Sequence, residues 1–236
     1  MVAGAVRPSR REQRREQTLR EIKDLAMEQI AAGGPDAVSL NGIARTMAMS
    51  PAAIYRYFEN RDALLADLVV EVYDSLADTV EAAGRHPVTP AERLAEVAHA
   101  VRAWALEHPN AYRLIFQTTS GSGQDLAPER TIPAASRTMG TLLEALLPLA
   151  TAPGRSAARP GPAADPALNE QIGAWAARTG MPDLPSDILA LGLLCWTRLH
   201  GVISLELGHH LASTGIDPAL LYRAEVNALV RQAQGL

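Results

Sequence analysis

Between Ser39 and Arg61 the chain reads SLNGIARTMAMSPAAIYRYFENR, and this stretch limits the fold more than any other because it announces two helices in quick succession. Ser39 is a favoured N-cap, and Leu40, Ile43, Ala44 and Met47 recur behind it at helical spacing while Asn41 and Arg45 fall on the other face. A second start follows at Ser50-Pro51. Serine caps, and the fixed φ of proline suits the first helical position, where a missing N–H costs nothing. On that second helix Ile54 and Phe58, four apart, turn inward, which leaves Ala52, Ala53, Tyr55, Arg56 and Tyr57 outward or on the flanks.

Two short helices joined by a tight turn, the second presenting small, aromatic and basic side chains, describe a helix-turn-helix whose second helix enters a major groove of DNA. Ala52 and Ala53 let the backbone approach the bases and can touch a thymine methyl. Tyr55 and Tyr57 offer hydroxyls to phosphate oxygens, and Arg56 can reach base or phosphate. Asn60 is the expected cap of the next helix, whose free N–H groups and dipole favour a phosphate, with Arg61 adding a full charge. The DNA-contacting set predicted from sequence is therefore Asn41, Arg45, Ser50, Ala52, Ala53, Tyr55, Arg56, Tyr57 and Arg61.

These residues resemble the DNA-binding domain of the TetR family of bacterial transcriptional regulators, whose pattern runs Ile-Ala, a turn, Ser-x-x-x-Ile/Leu-Tyr-x-x-Phe, then a basic residue before a Leu-rich helix. Ile43, Ala44, Ser50, Ile54, Tyr55, Phe58, Arg61 and Leu64 match, and the resemblance covers residues 16–66. One position departs: the family usually has Gly in the turn, where this chain has Ala48. If φ is positive there, Ala costs on the order of 1 kcal/mol relative to Gly.

The net charge of −4 looks wrong for a DNA-binding protein until it is divided along the chain. Residues 1–61 hold ten Lys and Arg against seven Asp and Glu, whereas residues 62–236 hold twelve against nineteen. A basic N-terminal module on an acidic body suits phosphate binding at one end and repulsion of DNA elsewhere. At 236 residues and 47% hydrophobic content the chain can bury a sizeable core. Its longest apolar run, Ile188 to Trp196, falls short of a membrane span, and its Arg-rich start lacks a following apolar segment, so a cytoplasmic protein without a membrane partner is expected. The single cysteine, Cys195, excludes an internal disulfide.

Residues 1–15, with Arg7, Arg10, Arg11, Arg14 and Arg15 and almost no large apolar side chains, are expected to form a basic disordered arm that tracks the backbone or minor groove. Residues 16–61 form the DNA-binding domain, its first helix running from Thr18 to Ala32 and stopped by Gly33-Gly34-Pro35. Residues 62–236 form the second domain. A long helix runs from Arg61 to Gly84, another from Thr89-Pro90 to Glu107, and a short one from Asn110 to Thr118. Gly121, Gly123 and Pro128 mark a loop before a helix from Pro133 to Ala150, and residues 151–166 read as an exposed, mobile loop. Helices then cover Leu168–Thr179, Ser186–Leu211 and the stretch after Asp217-Pro218. No strand is needed, and the chain is predicted to be all-α.

Trp196-Thr197-Arg198-Leu199-His200-Gly201 resembles the Trp-x-x-x-His-Gly signature of one C-terminal subgroup of the same family. The resemblance implies that residues from about 62 bind an effector and dimerise, with the last two long helices pairing across a two-fold axis. Trp196 and His200 lie one turn apart, so they line a cavity or are buried at the core or interface. Trp104, Tyr112, Phe116, Met139 and Trp175 are the other candidates for an apolar effector cavity, with core packing as the alternative for each.

There is no Gly-rich phosphate loop, Gly-x-Ser-x-Gly, His-Glu-x-x-His or Cys-x-x-Cys, and His209-His210 has no partners at metal-ligand spacing. No enzyme, metal site or cofactor is expected. The reading implied by the resemblance is a homodimeric regulator, most often a repressor, that binds a palindromic double-stranded operator and is released by a small, largely hydrophobic effector. The alternatives are a DNA-binding regulator with a fully packed body and no effector, or a helical small-molecule binder or enzyme with a vestigial head.

Overall fold

The computed structural model describes residues 9–85, 89–116, 127–151, 165–178, 180–181 and 183–235. Among these, the regular structure is helical throughout. In order the helices are α1 (Arg10–Gly33), α2 (Leu40–Thr46), α3 (Pro51–Ile54), α4 (Arg61–Gly84), α5 (Pro90–Glu107), α6 (Pro109–Phe116), α7 (Pro128–Ala150), α8 (Pro166–Arg178), α9 (Ser186–Leu207) and α10 (Pro218–Gln234). Short 3₁₀ turns stand at Pro35–Ala37 and Ala212–Thr214. Six of the ten begin with proline at the first helical position, where its ring pre-sets φ and no hydrogen bond is lost.

Three boundaries differ from the sequence reading. The expected disordered arm is helical from Arg10, because Ser9 and Glu12 form a capping box: the Glu12 N–H donates to Ser9 Oγ at 3.2 Å and the Ser9 N–H to Glu12 Oε2 at 2.6 Å. Residues 1–8 lie outside the described residues, as do 152–164 of the expected mobile loop. Pro128, read as a loop residue, instead opens α7, and Pro133 is carried inside that helix. At the other end α9 stops at Leu207; Gly208 closes it and His209, at φ 57°, turns the chain away.

The described chain packs as two compact units. The first takes the residues up to Val69 together with the segment from Asn110, and the second takes Val70–Pro109 and the residues from Pro128 onward. This division is not the expected one at residue 61, since α4 runs unbroken through that point and buries Leu64, Leu65, Leu68 and Val69 in the first unit. The first unit also claims most of α6, which the sequence reading gave to the second domain; Tyr112, Leu114 and Ile115 on it are buried. Nothing local in that octapeptide says which core it joins.

The first unit is built on α1, α2, α3 and the start of α4. Ile22, Ala26 and Ile30 form the buried stripe of α1, and Val38, Leu40, Ile43, Ala44, Ile54 and Phe58 are buried with them. Lys23 Nζ meets Asp67 Oδ2 at 2.7 Å, pinning α1 to α4. In the second unit α7 and α9 are central, each packing on α5 and α10, and α8 lies on α9. The approach of α9 to α7 is close at Gly192, where an added Cβ would run into the Leu143 side chain. Buried Tyr222 of α10 donates its hydroxyl to the Ala98 carbonyl of α5 at 2.6 Å. Helix α9 is long and apolar enough to match a membrane span, but half of it is buried inside the unit. Arg198 and Glu206 on it pair with Glu225 and Arg102, so it is a core helix.

Candidate nucleic-acid interface

The turn between α2 and α3 sets the position of the outward side chains, and its hydrogen bonds define it. The Met49 N–H donates to Ala44 O at 2.8 Å and the Ala48 N–H to Arg45 O at 3.2 Å, the paired bonds of a Schellman stop with Ala48 in the left-handed position at φ 52°. At the entry to α2 the Gly42 N–H donates to Ser39 Oγ at 3.1 Å, as its cap role predicts. Gln29 of α1 secures the same corner by accepting from the Ser39 N–H at 2.8 Å. Ser50 stands at the N-cap of α3 but makes no side-chain cap bond, and the residue is exposed.

α3 itself is only four residues long; after Ile54 the chain tightens, with the Tyr57 N–H bonded to Ile54 O at 2.9 Å, three residues back. Ile54 and Phe58 are anchored in the core at 0% and 7% exposure. Around them Ala52, Tyr55 and Arg56 are exposed, Ala53 and Tyr57 half-buried, and Asn41 and Arg45 of α2 exposed. Tyr55, at 47%, is a large aromatic left in solvent. The predicted DNA-contacting residues thus belong to one unit and, Arg61 at the start of α4 apart, are carried by α2 and the α3 segment.

Arg61 is placed differently from the free phosphate ligand that sequence suggests. Its Nη2 donates to Pro35 O at 2.8 Å and to Asp36 Oδ1 at 2.9 Å, and its Nη1 to Asp62 Oδ1 at 3.3 Å, so it staples the Pro35–Ala37 turn to the start of α4. Asn60 caps α4 as expected, Oδ1 accepting from the Ala63 N–H at 2.8 Å. Two pairings escaped sequence reasoning: that of Arg61 with Asp36, whose only signal was an acid after Gly33-Gly34-Pro35, and that of Arg15, read only as part of the basic arm, with Tyr57, the guanidinium carbon lying 5.5 Å from the ring centroid.

The candidate effector residues are divided between the units. Tyr112 and Phe116 of α6 are in the first, their rings 4.9 Å apart. The others are in the second. Trp104 is buried and donates from Nε1 to Ser75 Oγ at 3.1 Å. Met139 lies beside Gly192, its Sδ 3.8 Å from where a Cβ would stand there. Trp175 is half-buried, and the Trp196 ring lies tilted against His200, centroids 5.0 Å apart, while remaining 37% exposed. Burial lowers the His200 imidazole to a pKa of about 4 and raises the Cys195 thiol to about 12. Gly201 meets no heavy atom within 4 Å of an added Cβ, so within one chain its small size is not used for helix packing.

A charge cluster joins α7 to the second half of α4. Arg137 reaches Asp74 Oδ1 at 2.7 Å, Asp78 Oδ1 at 2.7 Å and Glu81 Oε1 at 3.0 Å, three carboxylates spaced along one side of the helix. Hydrogen bonds to Asp78 and Asp74 hold its guanidinium more firmly protonated than usual.

The family described as bacterial regulatory proteins of the tetR family matches residues 22–68, and the tetracyclin repressor-like C-terminal domain matches residues 94–229. The HTH-type transcriptional regulator Rv1816 of Mycobacterium tuberculosis is 31% identical over 95% of each chain. The crystal structure of SCO4313 aligns at 39% identity with a TM-score of 0.75, over 94% of this chain and 98% of that one. At the level of fold alone, the transcriptional regulator FadR of Bacillus subtilis, solved with stearoyl-CoA, aligns with a TM-score of 0.58 at 17% identity over 92% of this chain and 98% of that one.

Proposed function

The chain belongs to the TetR family of bacterial transcriptional regulators, and from that premise we propose that it represses by binding a palindromic operator as a homodimer and releases it when a small, largely hydrophobic compound enters its helical body. The observation that carries the reading is the α3 segment, which anchors Ile54 and Phe58 in the core while leaving Ala52, Tyr55 and Arg56 in solvent. Ala52 and Ala53 read bases; Asn41, Arg45, Ser50, Tyr55, Arg56 and Tyr57 fix register on the backbone; Arg61 adds a phosphate contact from its stapled position.

Dimerisation through α9 and α10 is supported by the large apolar side chains they leave in solvent, Trp196 at 37%, Leu205 at 43% and Leu220 at 57% exposure. Two heads then meet half-sites about 34 to 36 Å apart, or a multiple of that. An effector that prefers the conformation with misplaced heads weakens operator binding by that preference and no more. Such a compound is expected against Trp104, Met139 and Trp175 of the second unit, and α4, continuous from Arg61 into that unit, is the covalent route of coupling.

Selection of bound duplexes from a random pool by the purified protein tests the reading. A palindromic enriched motif is expected, with Ala52 and Ala53 variants enriching altered motifs and Tyr55→Phe weakening all of them alike. Failure of a folded dimer to enrich any motif would overturn it.

A further inference from the structure

Beyond the reading segment, the first unit has a second basic surface that the helix-turn-helix pattern does not include. The opening turns of α1 and the chain just after α3 enclose a cleft of about 890 Å3. Arg10, Arg11, Arg14 and Arg15 line it from α1, and Arg56 and Tyr57 from the reading segment. All four of these α1 arginines are exposed, and among the described residues none of them is held in an ion pair. Glu12 is the one carboxylate in the lining, and it is committed to the cap: hydrogen bonds from Ser9 lower its pKa and tie its oxygens to the helix start. The Thr18 hydroxyl is turned back to the Arg14 carbonyl at 2.9 Å, so it does not compete for a ligand.

The arrangement works against its own helix. Arginines at i and i+4, 10 with 14 and 11 with 15, repel each other, and Arg10 and Arg11 stand in the first turn, where the helix dipole is positive. Both effects are relieved by an anion. The cation–π contact of Arg15 with Tyr57 fixes one wall of the cleft to the segment that carries the base-reading residues. A polyanion running past Tyr57 therefore meets five guanidiniums in succession, and the polyanion the neighbouring residues are shaped for is duplex DNA.

We propose that this cleft is a phosphate clamp for the DNA backbone flanking each half-site, distinct from the base-reading contacts and contributed by α1. The clamp rests on the DNA-binding reading above and extends the footprint outward from the bases read by α3. It supplies affinity and salt dependence without sequence preference, since phosphate contacts carry no base information.

The test uses the full-length protein and the duplex recovered by selection, in a short form ending at the half-sites and a long form with flanks. The variant is R10Q/R11Q/R14Q, with R20Q, an exposed α1 arginine outside the cleft, as control. Glutamine keeps helix propensity, and thermal melting confirms that both variants fold. For the long duplex the slope of log K against log salt is expected to flatten by one unit or more, about 0.9 for each phosphate contact removed over both protomers. Affinity for it falls at least tenfold at low salt, while the enriched motif and the affinity for the short duplex are retained and R20Q behaves as wild type. A slope change below one unit, or equal losses in R20Q, overturns the clamp and leaves the regulator reading intact. Absence of any motif selected by the wild-type protein overturns both.

Discussion

Ala48→Gly is expected to stabilise the DNA-binding head, a result opposite in sign to most substitutions. The left-handed backbone at Ala48, φ 52°, brings Cβ against the following carbonyl, a strain of roughly 1–2 kcal/mol for an L-residue. Glycine removes that strain but gives back about 0.4–1 kcal/mol, because its unfolded chain has more conformations to lose. The paired bonds from Met49 and Ala48 to Ala44 and Arg45 hold the conformation whichever residue is present, so the turn has no means of relaxing around alanine. The net gain is therefore about 0.5–1 kcal/mol, which for a slope near 2 kcal/mol/M raises the urea midpoint by about 0.3–0.5 M.

The assay must see the head. All three tryptophans, Trp104, Trp175 and Trp196, belong to the second unit, so their fluorescence reports that unit's unfolding, whereas far-ultraviolet circular dichroism reports both. If the two probes trace separate transitions in the wild-type protein, the midpoint shift belongs to the dichroism curve alone; if they coincide, it appears in both. An unchanged or lowered midpoint with unchanged slope would refute the strain argument. It would mean that the left-handed turn costs alanine no more than the entropy glycine gives back.

The staple made by Arg61 separates its two roles. Asp36→Ala removes one of the two bonds that hold the Pro35–Ala37 turn and Arg61→Ala removes both, so both lower the melting temperature of the head, but only Arg61→Ala reduces the salt slope of operator binding; equal slopes would assign Arg61 to structure alone. Arg137→Ala leaves Asp74, Asp78 and Glu81 facing one another without their shared cation, so its urea midpoint falls below wild type by more at low salt than at molar salt, and equal deficits would refute the charge account. For His200, half-buried against Trp196, desolvation favours the neutral form, with a pKa of about 4 against the usual 6.5, so the unfolded chain binds more protons between those values. Its contribution is complete above about pH 6.5 and is lost as pH falls towards 4; His200→Gln should flatten that limb of the stability profile, and an unaltered profile would refute the assignment.

The contrast between what could and could not be read in the sequence follows the range of the forces involved. Caps are local, and so Ser39, Asn60, Thr89-Pro90 and Asp217-Pro218 placed the starts of α2, α4, α5 and α10 where the structure has them. The same locality explains the strain at Ala48, which follows from one residue and the turn it occupies. Composition misled where it competed with a cap: the arginines of residues 10–15 argued for disorder, yet the Ser9–Glu12 box is enough to start α1 at Arg10. Proline misled in the same way, since Pro128 reads as a breaker and serves as a first helical residue. What was not legible is non-local. That α6 joins the first unit, and that Arg61 spends its guanidinium on an acid 25 positions upstream, depend on packing between distant segments.

That division has a consequence for the interface. The residues that would read bases, Ala52 and Ala53, are fixed by local signals: a proline at the first helical position and a buried Ile54 two positions away or less. Residues that would add affinity include two fixed by tertiary contacts, Arg61 through Asp36 and Arg15 through Tyr57. On the proposed reading, sequence preference and a share of the binding strength would be carried by separate layers of the same unit. Substitutions on α1 or in the Pro35–Ala37 turn can retune how tightly operators are held without touching which operators are chosen.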